Sequence, residues 1–171
     1  MRMLLFDLDE TLLNSWKKIS EMTYESLMKC RDKGILIGVS TSRSEQNSSK
    51  YINKLQPDMT ISSGGAMIRK GNECIFKSEF TAEETADLVT LARKVCGDCE
   101  ITADILQGHY WNYRTEPSLL DPEWGGTIYT DFQNFFQPAL KMCVEIEDSE
   151  KAEKLQAMVP QYDSVRFEGE C

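Results

Sequence analysis

The sequence predicts an α/β protein: a parallel sheet in its N-terminal part, followed by an antiparallel α+β unit. Three observations carry this prediction. An apolar run ends in an acidic cluster at Met3 to Leu13, strand and helix patterns alternate up to residue 63, and hairpin and period-two patterns take over after residue 65.

Met3-Leu4-Leu5-Phe6 is a short strand by its four consecutive apolar residues, and Asp7-Leu8-Asp9-Glu10-Thr11 falls where it ends. Carboxylates on a core strand cost several kcal/mol when unpaired, so that strand tip is a site. Helical spacing of Ile19, Met22, Leu27 and Cys30 predicts a helix over residues 16–33, which Gly34 stops. Ile35 to Val39 is a second strand, left through Ser40-Thr41-Ser42-Arg43, and a βαβ crossover makes the two strands parallel. A second helix over 44–55 and a third strand over 59–63 lead to Gly64-Gly65. Three polar tips thus share one sheet edge, the edge where open parallel sheets bind ligands.

Residues 66–69 and 74–76 read as a hairpin, and Thr81 with Glu84 forms a capping box for a helix ending at Gly97. Alternating segments at 100–106, 109–114 and 140–146 are strands, Ser149 caps a helix over 150–159, and Ser164 begins another strand. The domain boundary is expected near residue 65, giving units 1–65 and 66–171.

The chain has 171 residues, enough for one ordinary domain or two small ones, and 41% hydrophobic residues are enough for a core. With 28 acidic against 19 basic residues and a net charge of -9, it has no electrostatic footprint for nucleic acid or an anionic membrane. Acidic residues at 7, 9 and 10 break any signal-peptide pattern, and no run has the apolar length of a membrane span, so a cytoplasmic location is expected. The six cysteines are scattered and read as thiols. The lone Cys96-Gly97-Asp98-Cys99 pair, with His109 the only histidine, reads as incidental rather than as a zinc or redox centre.

Two carboxylates at a strand tip suit phosphoryl chemistry. One can attack phosphorus while a neighbour exchanges protons with leaving oxygen and water. Both repel a phosphate, so the arrangement calls for a hard divalent cation such as Mg²⁺.

Phe6-Asp7-Leu8-Asp9-Glu10-Thr11-Leu12 resembles the hhhDxDxT motif of the haloacid dehalogenase-like (HAD) superfamily, in particular its Cof-like phosphatases. The resemblance implies Asp7 as nucleophile and metal ligand, Asp9 as acid/base and, through its main-chain carbonyl, a second metal ligand, and Thr11 as loop support. Ile37 to Arg43 resembles the second motif, in which Thr41 binds phosphate through its hydroxyl and main-chain N–H and Ser42 and Arg43 line the crevice; glycine is usual where Ser42 stands. Ser62-Ser63-Gly64-Gly65-Ala66 is similar to the end of the family's third strand, with Gly64 replacing a common asparagine. The implied fold is a HAD-like Rossmannoid parallel sheet, N-terminal part only, with an inserted α+β cap domain.

The family's third motif, a lysine, and its fourth, an acidic pair, find no match after residue 114. Val144 to Asp148 alternates like a cap strand, and Lys141 and Lys151 fall in the same cap segment and are not taken as substitutes. The C-terminal core segment is therefore expected to be absent, leaving Met3 to Phe6 as an exposed apolar edge open to self-association or completion by another chain. The cluster His109 to Arg114, Trp124-Gly125-Gly126 and Phe132 to Phe136 are expected to be cap core or interface, with substrate contact as the sharper reading. The expected function is a Mg²⁺-dependent phosphatase of small phosphorylated metabolites acting through an aspartyl phosphate. The alternatives are a phosphomutase-like transferase and a non-catalytic phosphate-binding module.

Overall fold

The computed structural model describes residues 2–112 and 127–166. Tyr113, Arg114, the loop at 117–126 with its Trp124-Gly125-Gly126, and Phe167 onward lie outside the described residues.

The first sheet has the order β1-β2-β3-β4-β5, formed by Arg2–Phe6, Ile35–Ser40, Met59–Ser62, Met67–Lys70 and Glu73–Lys77. β1, β2 and β3 are parallel, as the βαβ spacing predicts. β4 runs antiparallel to β3 and β5 antiparallel to β4. The expected hairpin therefore forms, with Gly71-Asn72 as its two-residue turn, but it continues the first sheet instead of opening the second. Strand direction changes at residue 66; the sheet changes only after Lys77.

Helices α1 (Glu21–Asp32) and α2 (Glu45–Leu55) bury Leu27, Tyr51 and Leu55 against Ile37 and Val39 of β2. The core extends into the loop after β1, where Leu8, Leu12 and Leu13 are almost completely buried. β1 ends the sheet order among the described residues, and Leu4 and Leu5 are 39% and 49% exposed, the apolar edge expected from the sequence. Gly38 serves this packing, since a Cβ there would lie 2.7 Å from Leu5 Cδ1.

The first helix starts five residues later than its apolar spacing predicts. Asn14 Oδ1 accepts from the N–H groups of Trp16 and Lys18, at 3.0 Å each, and Lys17 takes a left-handed φ of 51°. An asparagine side chain that caps its own downstream backbone competes with helix formation. Ser20, accepting from Thr23 N–H, is the actual N-cap.

The second sheet has the order β8-β7-β6-β9, formed by Thr127–Tyr129, Gly108–Trp111, Ile101–Ile105 and Lys141–Val144. β6 is antiparallel to β7 and β9, whereas β7 and β8 are parallel, a departure from the expected all-antiparallel unit. α3 (Ala82–Cys96) carries the full Thr81/Glu84 capping box, and α4 (Ser149–Ala157) is capped by Asp148 instead of Ser149, the carboxylate accepting from Glu150 and Lys151 N–H. Val89 and Ala92 of α3 and Leu155 of α4 pack on the Ile101, Ala103 and Ile105 face of β6, with Phe132 and Phe135 completing that core. Ser164 to Arg166 forms no strand among the described residues; Gln156 Nε2 holds Ser164 Oγ at 3.0 Å. No helix among the described residues is long and apolar enough to cross a membrane.

Because Leu8 is fully buried between the two acidic positions, Leu8→Ala should cost about 2–5 kcal/mol in urea unfolding. A loss under about 0.5 kcal/mol would show that the leucine does not anchor the loop.

Candidate active site

The three strand tips come together as expected, and the backbone shows how. Thr41 N–H donates to Ile61 O at 2.9 Å, Ser63 N–H to Arg43 O at 2.8 Å and Gly64 N–H to Thr41 O at 3.2 Å, tying the second tip to the third. The third tip turns sharply through Ser63, Gly64 and Gly65, all at positive φ (49°, 68° and 103°), a conformation that favours glycine.

The first tip alternates acid and leucine: Asp7, Asp9 and Glu10 are partly or fully exposed while Leu8, Leu12 and Leu13 point into the core. Asp7 and Asp9 are both extended, Glu10 is left-handed at φ 56°, and Leu13 N–H closes the turn on Leu8 O at 2.8 Å. Thr11, expected to support the loop, is exposed and hydrogen-bonds to no described residue. The buried leucines hold the loop instead.

The two aspartates differ sharply in environment. Asp7 Oδ1 accepts from Leu8 N–H at 2.7 Å, and Asp7 contacts no cation among the described residues. Asp9 is gripped by two. Arg43 donates bidentately, Nε to Oδ2 and Nη2 to Oδ1, both at 2.8 Å, and Lys17 Nζ donates to Oδ1 at 2.9 Å. The Arg43 hydrogen bond, opposed by partial burial and reinforced by Lys17, holds the Asp9 carboxyl well below its usual range, at about 2. Arg43 is itself nearly buried and lies over the Tyr51 ring at 5.6 Å; Tyr51 Oη in turn donates to Lys17 O at 2.9 Å.

At the second tip Thr41 is buried. Its hydroxyl oxygen accepts from Arg43 N–H at 3.1 Å and its own N–H is committed to β3, which leaves the hydroxyl proton, but not the main-chain N–H, for an anion. Ser42 is exposed, and its N–H hydrogen-bonds to no described residue. Ser62 and Ser63 carry buried hydroxyls without a partner among the described residues, polar capacity that a solvated or ligand-bound crevice would use.

Sequence reasoning missed two lysines. Lys17 falls inside the helix expected over 16–33, although an Asn-capped turn can be read from Asn14. Lys141, set aside as part of the cap, donates to the Ser42 carbonyl across 99 positions of sequence; no local signal reveals such a contact. Tyr110 packs edge-on to Phe135 in the second unit's core, whereas its neighbour His109 is buried on the sheet's other face against Asp104, Nδ1 to Oδ1 at 2.6 Å.

As to a metal, Asp7 is open to a cation and the Asp9 carboxylate is taken. Among the described residues no group of three or more His, Cys, Asp or Glu forms. Mg²⁺ usually keeps several waters and needs only one or two carboxylates, so the Asp7 carboxylate with a main-chain carbonyl fits part of its oxygen shell.

The family profile described as haloacid dehalogenase-like hydrolase matches residues 4–168. The chain belongs to the haloacid dehalogenase-like hydrolases. Similar solved structures agree on the fold. A haloacid dehalogenase-like hydrolase from Bacteroides thetaiotaomicron superposes with TM-score 0.72 at 20% identity, covering 92% of this chain and 62% of that one. A phosphatase of the same superfamily, also from Bacteroides thetaiotaomicron, gives 0.75 at 23% identity, covering 98% and 64%. A subclass IIB sugar phosphatase gives 0.75 at 20%, covering 94% and 64%. The chain thus spans less than two thirds of the length of these hydrolases. No curated protein matches the sequence.

The Asp9 environment predicts a pH signature. A carboxyl whose folded value lies near 2, below its unfolded value, contributes stability that is present above about pH 4 and lost as pH falls through about 2. With its side chain 31% exposed, that contribution reduces to about 1 kcal/mol after solvent screening. The stability gap between wild type and Asp9→Asn should therefore shrink between about pH 4 and pH 2; a gap constant across that window would contradict the pairing.

Proposed function

We propose that the chain carries the phosphoryl-transfer site of a Mg²⁺-dependent phosphomonoester hydrolase acting on small phosphorylated metabolites, sugar phosphates among them. The supporting observation is the division between the two tip carboxylates. Asp7 is exposed, oriented by Leu8 N–H and uncommitted to any described cation, as a nucleophile must be, while Asp9 is held ionised two residues away.

On this reading Asp7 attacks phosphorus, forms an aspartyl phosphate and expels the alcohol or sugar oxygen; water then attacks phosphorus and returns Asp7 as a carboxylate. Asp9 in its present geometry is ionised, the form that takes a proton from water, although the same pairing weakens it as a base until Arg43 lets go. To protonate a leaving oxygen it must first be released by Arg43, and a phosphoryl dianion is a competing partner for that guanidinium. Thr41 Oγ1–H and the Ser42 N–H are the donors that orient the phosphoryl oxygens. When bound, Mg²⁺ would be held by the Asp7 carboxylate and the Asp9 main-chain carbonyl and would offset repulsion between Asp7 and the substrate. Residues 1–65 form part of the catalytic core in this proposal. The unit of 66–171 acts as the cap, with the β4–β5 hairpin as its link to the core sheet.

A second reading, a phosphate-binding module without turnover, is favoured by the lack of a third acidic ligand beside Asp7 and Asp9 among the described residues. An aryl phosphate assay separates the two. Hydrolysis should need Mg²⁺, stop with chelator and fall at least about a thousandfold in Asp7→Asn. Undiminished hydrolysis by that variant would falsify the nucleophile assignment, and phosphate binding with no hydrolysis by the wild type would favour the module.

A further inference from the structure

The second sheet has two unlike faces. Ile101, Ala103, Ile105, Tyr110, Met142 and Val144 face α3 and α4, so the intervening residues face the other way. On that second face three titratable side chains stand in one row. The register pairs Lys141 of β9 with Asp104 of β6, and Asp104 with His109 of β7.

The row is held firmly at its centre and open at one end. Asp104 is 1% exposed, a costly place for a carboxylate. Its Oδ1 meets His109 Nδ1 at 2.6 Å and its Oδ2 lies 3.3 Å from Lys141 Nζ. Burial works against the charge, but the His109 hydrogen bond and the Lys141 charge outweigh it, so the Asp104 carboxyl stays below its usual range. Lys141 is 27% exposed in its side chain, and its ammonium donates to the Ser42 carbonyl at the second strand tip. The ammonium has three donors. Among the described residues Ser42 accepts one of them and Asp104 pairs with the charge.

The side chain also reaches the third tip. A Cβ on Gly64 would sit at ordinary contact distance, 3.9 Å, from Lys141 Cδ, so the lysine stem passes alongside the third tip. Five buried side-chain oxygens lack a hydrogen-bond partner among the described residues. They are Gln46 Oε1 and Asn47 Oδ1 in the first turn of α2, Ser62 Oγ and Ser63 Oγ at the third tip, and Asp104 Oδ2, whose contact with Lys141 is an ion pair without hydrogen-bond geometry.

We propose that Lys141 is an anion-binding residue of the crevice, delivered from the second sheet, whose ammonium exchanges the Ser42 carbonyl for a phosphoryl oxygen of the ligand; Asp104 and His109 are positioning residues that act through it. The proposal rests on the hydrolase reading for the identity of the ligand, but its geometry rests on the row alone. A carbonyl is a weaker partner for an ammonium than a phosphate oxygen, so the exchange is favourable once phosphate enters. Asp104 remains bound throughout and keeps the lysine aimed at the tips.

The test is calorimetric titration of the full chain with inorganic phosphate in Mg²⁺-free buffer, a readout that needs neither metal nor turnover. Lys141→Met should raise the Kd for phosphate about tenfold to a hundredfold, the range of a hydrogen bond to a charged group. Lys141→Arg should stay within about threefold of wild type, because it restores the charge and the reach. Asp104→Asn, which keeps the shape and removes the charge, should weaken binding severalfold. If Lys141→Met does not fold, Lys141→Gln takes its place. An unchanged Kd in the Met or Gln variant, an Arg variant as weak as Met, or a wild type that binds no phosphate each overturns the assignment. The hydrolase reading is judged separately: a wild type that binds phosphate but turns over no aryl phosphate removes that reading and leaves the Lys141 comparison intact.

Discussion

The bidentate pair between Asp9 and Arg43 is the contact on which the crevice depends. It joins the loop after β1 to the loop after β2, and the backbone bonds from Arg43 and Thr41 carry the connection on to the third tip. The pair is embedded in a closed circuit. Arg43 lies over Tyr51, Tyr51 Oη bonds to the Lys17 carbonyl, and Lys17 Nζ returns to Asp9. Each member restricts the next, so the entropy of ordering one long side chain is shared among several contacts. The result is a carboxylate kept ionised beside one that stays available.

Much of this was legible in the chain itself. Apolar runs located the parallel strands, because a strand buried on a sheet has no reason to alternate. The capping box at Thr81 and Glu84 located α3 because it satisfies two backbone donors locally. What escaped notice depended on longer range or on competition between local signals. The turn at Asn14 to Lys18 defeated a helical period because a side-chain amide capped the backbone first. β8, with three residues, is too short to show a period. The hairpin's place in the first sheet follows from pairing with β3, which composition does not encode. Lys141 reads as an ordinary polar strand residue until the two sheets are brought together.

The site residues divide in the same way. Asp9, Thr41 and Arg43 are in contact, and Asp7 and Ser42 stand at the same strand tips, since the parallel topology sets those tips side by side. The donors available to an anion are less predictable. Thr41 spends its N–H on the ladder, while Ser42 keeps its own. The Thr11 hydroxyl bonds to no described residue, and three buried leucines anchor the loop. Membership of the haloacid dehalogenase-like hydrolases accounts for the pattern of carboxylates and strands. The environment of each side chain decides how the proposed roles are divided.

The central claim, that Asp7 is the group to which phosphorus is transferred, is tested most directly by trapping. The chain is mixed with an aryl phosphate and Mg²⁺, quenched in acid and digested, and the peptide containing Asp7 is weighed by mass spectrometry. The account predicts one added phosphoryl group on Asp7, lost on treatment with hydroxylamine and absent from Asp7→Asn. A chain that releases phosphate while the label is found on another residue, or on none in a rapid quench, would contradict it.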